Sequence, residues 1–101
     1  HILDDDEAYA IVNHLLDALP SGSYLVLCDP TYEVRPEVVR EAVRQWNENA
    51  TPPIRVRSRQ QLIRFFDRLE LLEPGVVSAS FWRAFGTPVE VCNFGGVGRK
   101  P

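Results

Sequence analysis

The sequence predicts a layered α/β protein, and three observations carry that prediction. Residues 23–29, Ser-Tyr-Leu-Val-Leu-Cys-Asp, form a nearly unbroken apolar run between Pro20-Ser21-Gly22 and Pro30-Thr31, the pattern of a central strand covered on both faces. Helical spacing of apolar residues precedes and follows it, and the order helix, strand, helix belongs to a largely parallel sheet. Alternation in Val89-Glu90-Val91-Cys92-Asn93-Phe94 supplies a further strand. In sheets of this kind ligands bind beyond the carboxyl ends of the strands, which directs attention to Asp29, Pro30, Thr31 and Tyr32.

Taken in order, His1-Ile2-Leu3 reads as the end of a strand. Asp4-Asp5-Asp6-Glu7 then offers N-cap side chains and negative charge to the first turn of a helix. Ala8, Ile11, Val12, Leu15, Leu16 and Leu19 recur at helical spacing as one apolar stripe, with His14 beside it on the helix surface. Pro20-Ser21-Gly22 ends that helix and turns the chain into the central strand. Pro36 suits the first position of a second helix. That helix carries Val39, Ala42, Val43 and Trp46 on an inward face, with Trp46 expected in the core. Ser58-Arg59-Gln60-Gln61 is a capping box that opens a third helix over residues 59–68. Leu71-Leu72, Pro74-Gly75 and Val76-Val77 read as an extended segment broken by a bend, with Pro74 marking a sheet edge. Gly95-Gly96-Val97-Gly98 is not read as a phosphate loop, because a dinucleotide loop requires a following helix; strand glycine, flexible or bulged, is the expectation.

Composition narrows the function classes. The 101 residues are 45% hydrophobic and 25% charged, enough for a single domain spanning residues 1–101 with one core. A net charge of −3 gives no electrostatic footprint for nucleic acid, and the sequence cluster Arg55, Arg57, Arg59, Arg64 and Arg68 is expected on a solvated helix face. No apolar run reaches the ~20 residues of a membrane span, and no signal pattern opens the chain; a soluble cytoplasmic protein is expected. Cys28 and Cys92 are expected as buried free thiols inside strands. With His1 and His14 they match no metal-ligand spacing, so no metal is expected. The chain begins with His1 and contains no methionine, so a processed chain or a fragment of a longer polypeptide is expected.

The residues also carry a likeness. Leu16-Asp17-Ala18-Leu19-Pro20-Ser21-Gly22-Ser23-Tyr24-Leu25, Arg64-Phe65-Phe66-Asp67, Glu73-Pro74-Gly75-Val76-Val77 and Gly96-Val97-Gly98-Arg99-Lys100 form an ordered set. Together with the element order, they resemble the C-terminal half of a class I S-adenosylmethionine-dependent methyltransferase, and most closely a bacterial S-adenosyl methyltransferase family. The resemblance implies a Rossmann-like sheet of parallel strands ending in an antiparallel pair, with the final strand inserted beside the fifth. His1-Ile2-Leu3 would then close the fourth strand and residues 23–28 would be the fifth.

On that resemblance, His1, Ile2 and Leu3 line the S-adenosylmethionine site, while Asp29, Thr31, Tyr32 and Trp82 form the pocket for an unidentified, small-molecule acceptor. The family's glycine-rich cofactor loop and its ribose-binding acidic residue both precede His1. The isolated chain is therefore expected to be inactive. Its exposed sheet edge is expected to pair with a missing N-terminal half or with a second copy. The alternative is a non-catalytic α/β module that binds a partner protein through the same edge or the Trp82 region.

Overall fold

Asp4 starts the first helix by accepting the Glu7 N–H at 3.1 Å, which satisfies one of the otherwise unpaired amides of the first turn. The computed structural model describes residues 2–101; His1, the first of the three residues expected at the cofactor, lies outside the described residues. From that cap, α1 runs Asp5–Asp17. At its other end the Lys100 ammonium donates to the Leu16 and Leu19 carbonyls at 2.7 and 2.6 Å, placing a cation on the helix terminus where the dipole favours one. The chain continues through β1 (Tyr24–Pro30), α2 (Pro36–Asn49) and α3 (Arg59–Ile63). It then passes through a 3-10 turn at Arg64–Phe66, β2 (Glu70–Leu71), β3 (Val77–Ser78), a second 3-10 turn at Ala79–Phe81, and β4 (Asn93–Arg99). The capping box at the start of α3 is complete: Ser58 accepts the Gln61 N–H and Gln61 accepts the Ser58 N–H.

Among the described residues every strand pairing is antiparallel, and β4 makes all of them. The sheet order is β1-β4-β2, with β3 also on β4. The last strand thus lies between β1 and β2, as an insertion beside the preceding long strand requires. Two expectations change here. The run 23–29 is an edge strand among the described residues, and its residues alternate between half-buried and exposed, with Val26 73% exposed. The sheet centre is instead the glycine-rich segment. The predicted strand at residues 89–94 starts only at Asn93, and Cys92 sits in a bend before it.

Glycine is what allows this segment to be central. A Cβ on Gly98 would stand 2.8 Å from Phe66 Cδ1 and 2.9 Å from Leu69 Cδ1, and one on Gly96 would stand 3.1 Å from Val76 Cγ2. Phe66 therefore rests directly on the backbone of β4, and side chains there would push it away. The core assembled on this surface contains Tyr9, Leu62, Phe65, Phe66, Val76 and Phe94, all buried. Tyr9 packs its ring on Phe65 with centroids 4.4 Å apart and donates its hydroxyl to the Gln61 carbonyl at 2.7 Å, the arrangement a buried phenol needs.

The helices are only partly covered. Ala8, Tyr9 and Leu16 of α1 are buried, but Ile11, Leu15 and Leu19 of the expected stripe are exposed. In α2 only Val39 is buried, and Trp46 is exposed rather than core; its indole N–H donates to the Pro52 carbonyl at 3.0 Å, so the ring pins the helix to the loop that follows. The third helix ends as α-helix at Ile63 and tightens into the 3-10 turn, which turns both Phe65 and Phe66 inward. Cys28 is exposed and Cys92 half-buried, because the face of β1 that bears Cys28 has no layer over most of it among the described residues.

Candidate functional site

The arginines expected on a solvated helix face divide by partner. Arg55 and Arg57 precede α3 and turn toward the start of the chain. The Arg57 side chain is 6% exposed. Its Nε donates to Asp5 Oδ1 at 2.8 Å and its Nη2 donates to the Ile2 carbonyl at 2.6 Å. Arg55 Nη1 donates to the Leu3 carbonyl at 2.9 Å and both of its terminal nitrogens reach Asp5. The segment 2–5 is thus held by two guanidinium forks against one carboxylate and two carbonyls, the geometry to which Arg is suited and Lys is not. Arg57 also stacks near Phe65, 5.8 Å from the ring centroid.

On its other side Arg57 faces β1. Nη1 is 3.8 Å from Asp29 Oδ2, an ion pair longer than a hydrogen bond. Burial pushes the Asp29 carboxyl up from its ordinary value, and the Arg57 charge opposes that rise. The neighbouring Cys28 thiol is likewise pushed up, by burial first and then by the Asp29 charge. Ile2, Ile11, Leu27, Asp29 and Arg57 line a cavity of about 220 Å³. It has apolar walls and, at one end, a carboxylate facing a guanidinium.

The expected site residues fall into three places. Ile2, whose neighbour Leu3 is tied to Arg55, meets Asp29 across Arg57. Thr31 is fully buried; its hydroxyl accepts the Glu33 N–H at 3.1 Å and its own N–H donates to the Cys92 carbonyl at 2.9 Å, so it shapes the loop after β1. Tyr32 lies on the α2 side, beneath the Arg40 guanidinium at 5.7 Å. Trp82 joins Val26, Cys28, Ala79, Gly95 and Val97 around a second cavity of about 420 Å³. The two cavities share Leu27 and Cys28, so β1 separates them. The indole N–H of Trp82 is buried without a hydrogen-bond partner among the described residues. Residues 55–57 gave little sign of their role in the sequence. The only cue to Arg57 is its position beside a capping box, and its side-chain hydrogen-bond partners Asp5 and Ile2 lie 52 and 55 positions away.

Comparison with known proteins decides the family. The profile described as S-adenosyl methyltransferase matches residues 1–101. The chain belongs to this S-adenosyl methyltransferase family. Two crystal structures resemble this member closely. One is a DUF574 family protein of Streptomyces avermitilis MA-4680, 36% identical with a TM-score of 0.91; 99% of this chain and 40% of that one are covered. The other is a candidate methyltransferase of Thermobifida fusca YX, 30% identical with a TM-score of 0.80, again covering 99% of this chain and 40% of the other. The family member described here therefore spans 40% of the length of each solved relative. No curated protein matches it. Among the described residues no helix is long and apolar enough to cross a membrane, and no group of three or more His, Cys, Asp or Glu is placed to hold a metal ion.

Proposed function

We propose that this chain is the C-terminal segment of an S-adenosylmethionine-dependent methyltransferase acting on a small-molecule acceptor, inactive without the rest of the enzyme. The observation that carries the reading is the convergence of the 2–5 segment and Asp29 on Arg57 at the carboxyl end of β1, within a chain of the S-adenosyl methyltransferase family. Carboxyl ends of strands are where open α/β sheets bind ligands. When bound, S-adenosylmethionine supplies an electrophilic methyl group on a positively charged sulfur. The residues present fit its methyl end: apolar walls from Ile2, Ile11 and Leu27 suit the carbon chain, and Asp29 suits the cation.

In this reading His1, Ile2 and Leu3 lie on the cofactor side and Asp29, Thr31, Tyr32 and Trp82 on the acceptor side. Asp29 orients an acceptor through hydrogen bonding and holds its proton as transfer proceeds, while Trp82 offers an aromatic wall to the second cavity, across β1 from Asp29. The protein's main contribution is to hold acceptor and methyl group in line. The free edge of β1 takes a further strand, parallel in the Rossmann-like manner, from the N-terminal half of the enzyme, or a second copy where that half is missing.

Calorimetric titration of S-adenosylmethionine into the 101-residue chain and into the natural full-length polypeptide tests the proposal. Micromolar binding by the longer polypeptide alone is the expected result. Binding by the 101 residues alone would show that the cofactor site is complete within them and refute the idea of a half site. A second reading, a protein-interaction module, is favoured by the exposed apolar residues Val26, Val89 and Phe85, the last fully exposed; binding by neither polypeptide would support it.

A further inference from the structure

Arg57 is the most deeply buried charged side chain of the region, and its hydrogen-bonding capacity is divided in an uneven way. A guanidinium has five N–H donors. Nε is used on Asp5 and Nη2 on the Ile2 carbonyl. Nη1 faces Asp29 at 3.8 Å and makes no hydrogen bond among the described residues. The buried fork therefore grips the start of α1 and the residues just before it tightly, and β1 loosely. The backbone of the same residue adds a third tie, since the Arg57 N–H donates to the Pro30 carbonyl at the end of β1, at 3.5 Å. Among the described residues, the titratable groups around Asp29 are Arg57 from the segment before α3 and Cys28 from β1 itself; Asp5 and Arg55 stand behind Arg57.

We infer that Arg57 is a positioning residue for methyl transfer, which sets the separation between the Ile2–Leu3 segment and the Asp29 carboxylate and leaves that carboxylate free to bond an acceptor. This rests on the methyltransferase reading, and adds to it a residue that lines the same cavity and acts through the Ile2–Leu3 segment and Asp29. The function follows from the asymmetry of the grip. A carboxylate locked into a two-pronged pair with arginine has its oxygens occupied, whereas one held at ion-pair distance keeps the charge and retains its lone pairs. The fork on Asp5 and the Ile2 carbonyl fixes where the guanidinium sits, so Asp29 feels its charge at a constant distance.

The test uses the natural full-length polypeptide with Arg57→Gln and Arg57→Lys. Two measurements are made on each: the S-adenosylmethionine dissociation constant by calorimetry, and the Asp29 titration midpoint by carbon-13 NMR of its carboxyl. Arg57→Gln is expected to weaken cofactor binding roughly tenfold or more and to raise the Asp29 midpoint. Arg57→Lys keeps the charge but lacks the fork, so it is expected to weaken binding similarly while leaving the midpoint near that of the wild type. A purely structural arginine would not separate the two readouts in this way. Cofactor affinity within about twofold of wild type in both variants, or an Asp29 midpoint unmoved by Arg57→Gln, overturns the inference alone. Unfolding of both variants assigns Arg57 to the fold and also overturns it. Failure of the wild-type polypeptide to bind S-adenosylmethionine overturns the methyltransferase reading itself, and the inference about methyl transfer with it.

Discussion

β1 and β4 are strands of equal length lying side by side, and their sequences suggest the opposite of their positions. β1 is Tyr-Leu-Val-Leu-Cys-Asp-Pro, opening on five apolar residues, yet Tyr24 and Val26 face outward and its far edge is unpaired among the described residues. β4 is Asn-Phe-Gly-Gly-Val-Gly-Arg, poor in side chains, yet it is central and largely buried. The difference teaches that a strand's place is decided by what covers it. β4 is covered because Gly96 and Gly98 let Phe66 and Leu69 lie on its backbone, and β1 is bare on the side where the described chain offers no layer.

The comparison can be broken at its strongest point by removing the cover. Phe66→Ala is expected to destabilise the fold by about 3–5 kcal/mol, measured by urea unfolding, because the ring is 3% exposed and rests on two glycines. A loss below about 1 kcal/mol would mean that β4 does not depend on that ring. The reciprocal change is smaller. Gly98→Ala places a methyl group 2.8 Å from Phe66 Cδ1 and is expected to cost about 1–3 kcal/mol; a neutral result would show that Phe66 shifts without penalty. Smallest of all is Val26→Ala, expected to stay within about 0.5 kcal/mol in the 101-residue chain. A larger cost in the natural full-length polypeptide than in the shorter chain would show that further structure covers this face, and would sharpen the contrast into one between the described residues and the whole enzyme.

Local chemistry was legible and mutual burial was not. The N-cap at Asp4, the capping box at Ser58 and Gln61 and the helix start at Pro36 each depend on residues within one turn, and the structure has all three. Asp29 was singled out by its place at a strand end and Ile2 by the family resemblance, and the structure brings the two to one cavity, although Ile2 and Leu3, expected to end a strand, belong to none among the described residues. Arg57 was not legible, because its burial depends on Asp5 and the Ile2 carbonyl, 52 and 55 positions away. Trp46 misled for the opposite reason: its helical spacing implied a core, while its indole N–H had a nearer partner in Pro52. The glycine-rich segment was legible as strand but not as the centre of the sheet, because sequence shows where side chains are missing without showing which ring occupies the vacated space.

The position of β4 also bears on how the protein is made. β1, β2 and β3 each pair with β4 and, among the described residues, with no other strand. Synthesis proceeds from the amino end at roughly 5–20 residues per second, so all three leave the ribosome before the strand that unites them. α1 and α2 need no such partner for their backbone hydrogen bonds and can form as they emerge. The nascent Tyr-Leu-Val-Leu segment, however, spends seconds as an apolar strand with the edge that β4 will cover still open. In the cell, that interval is when chaperones would engage this chain and when neighbouring ribosomes would risk joining their products through it.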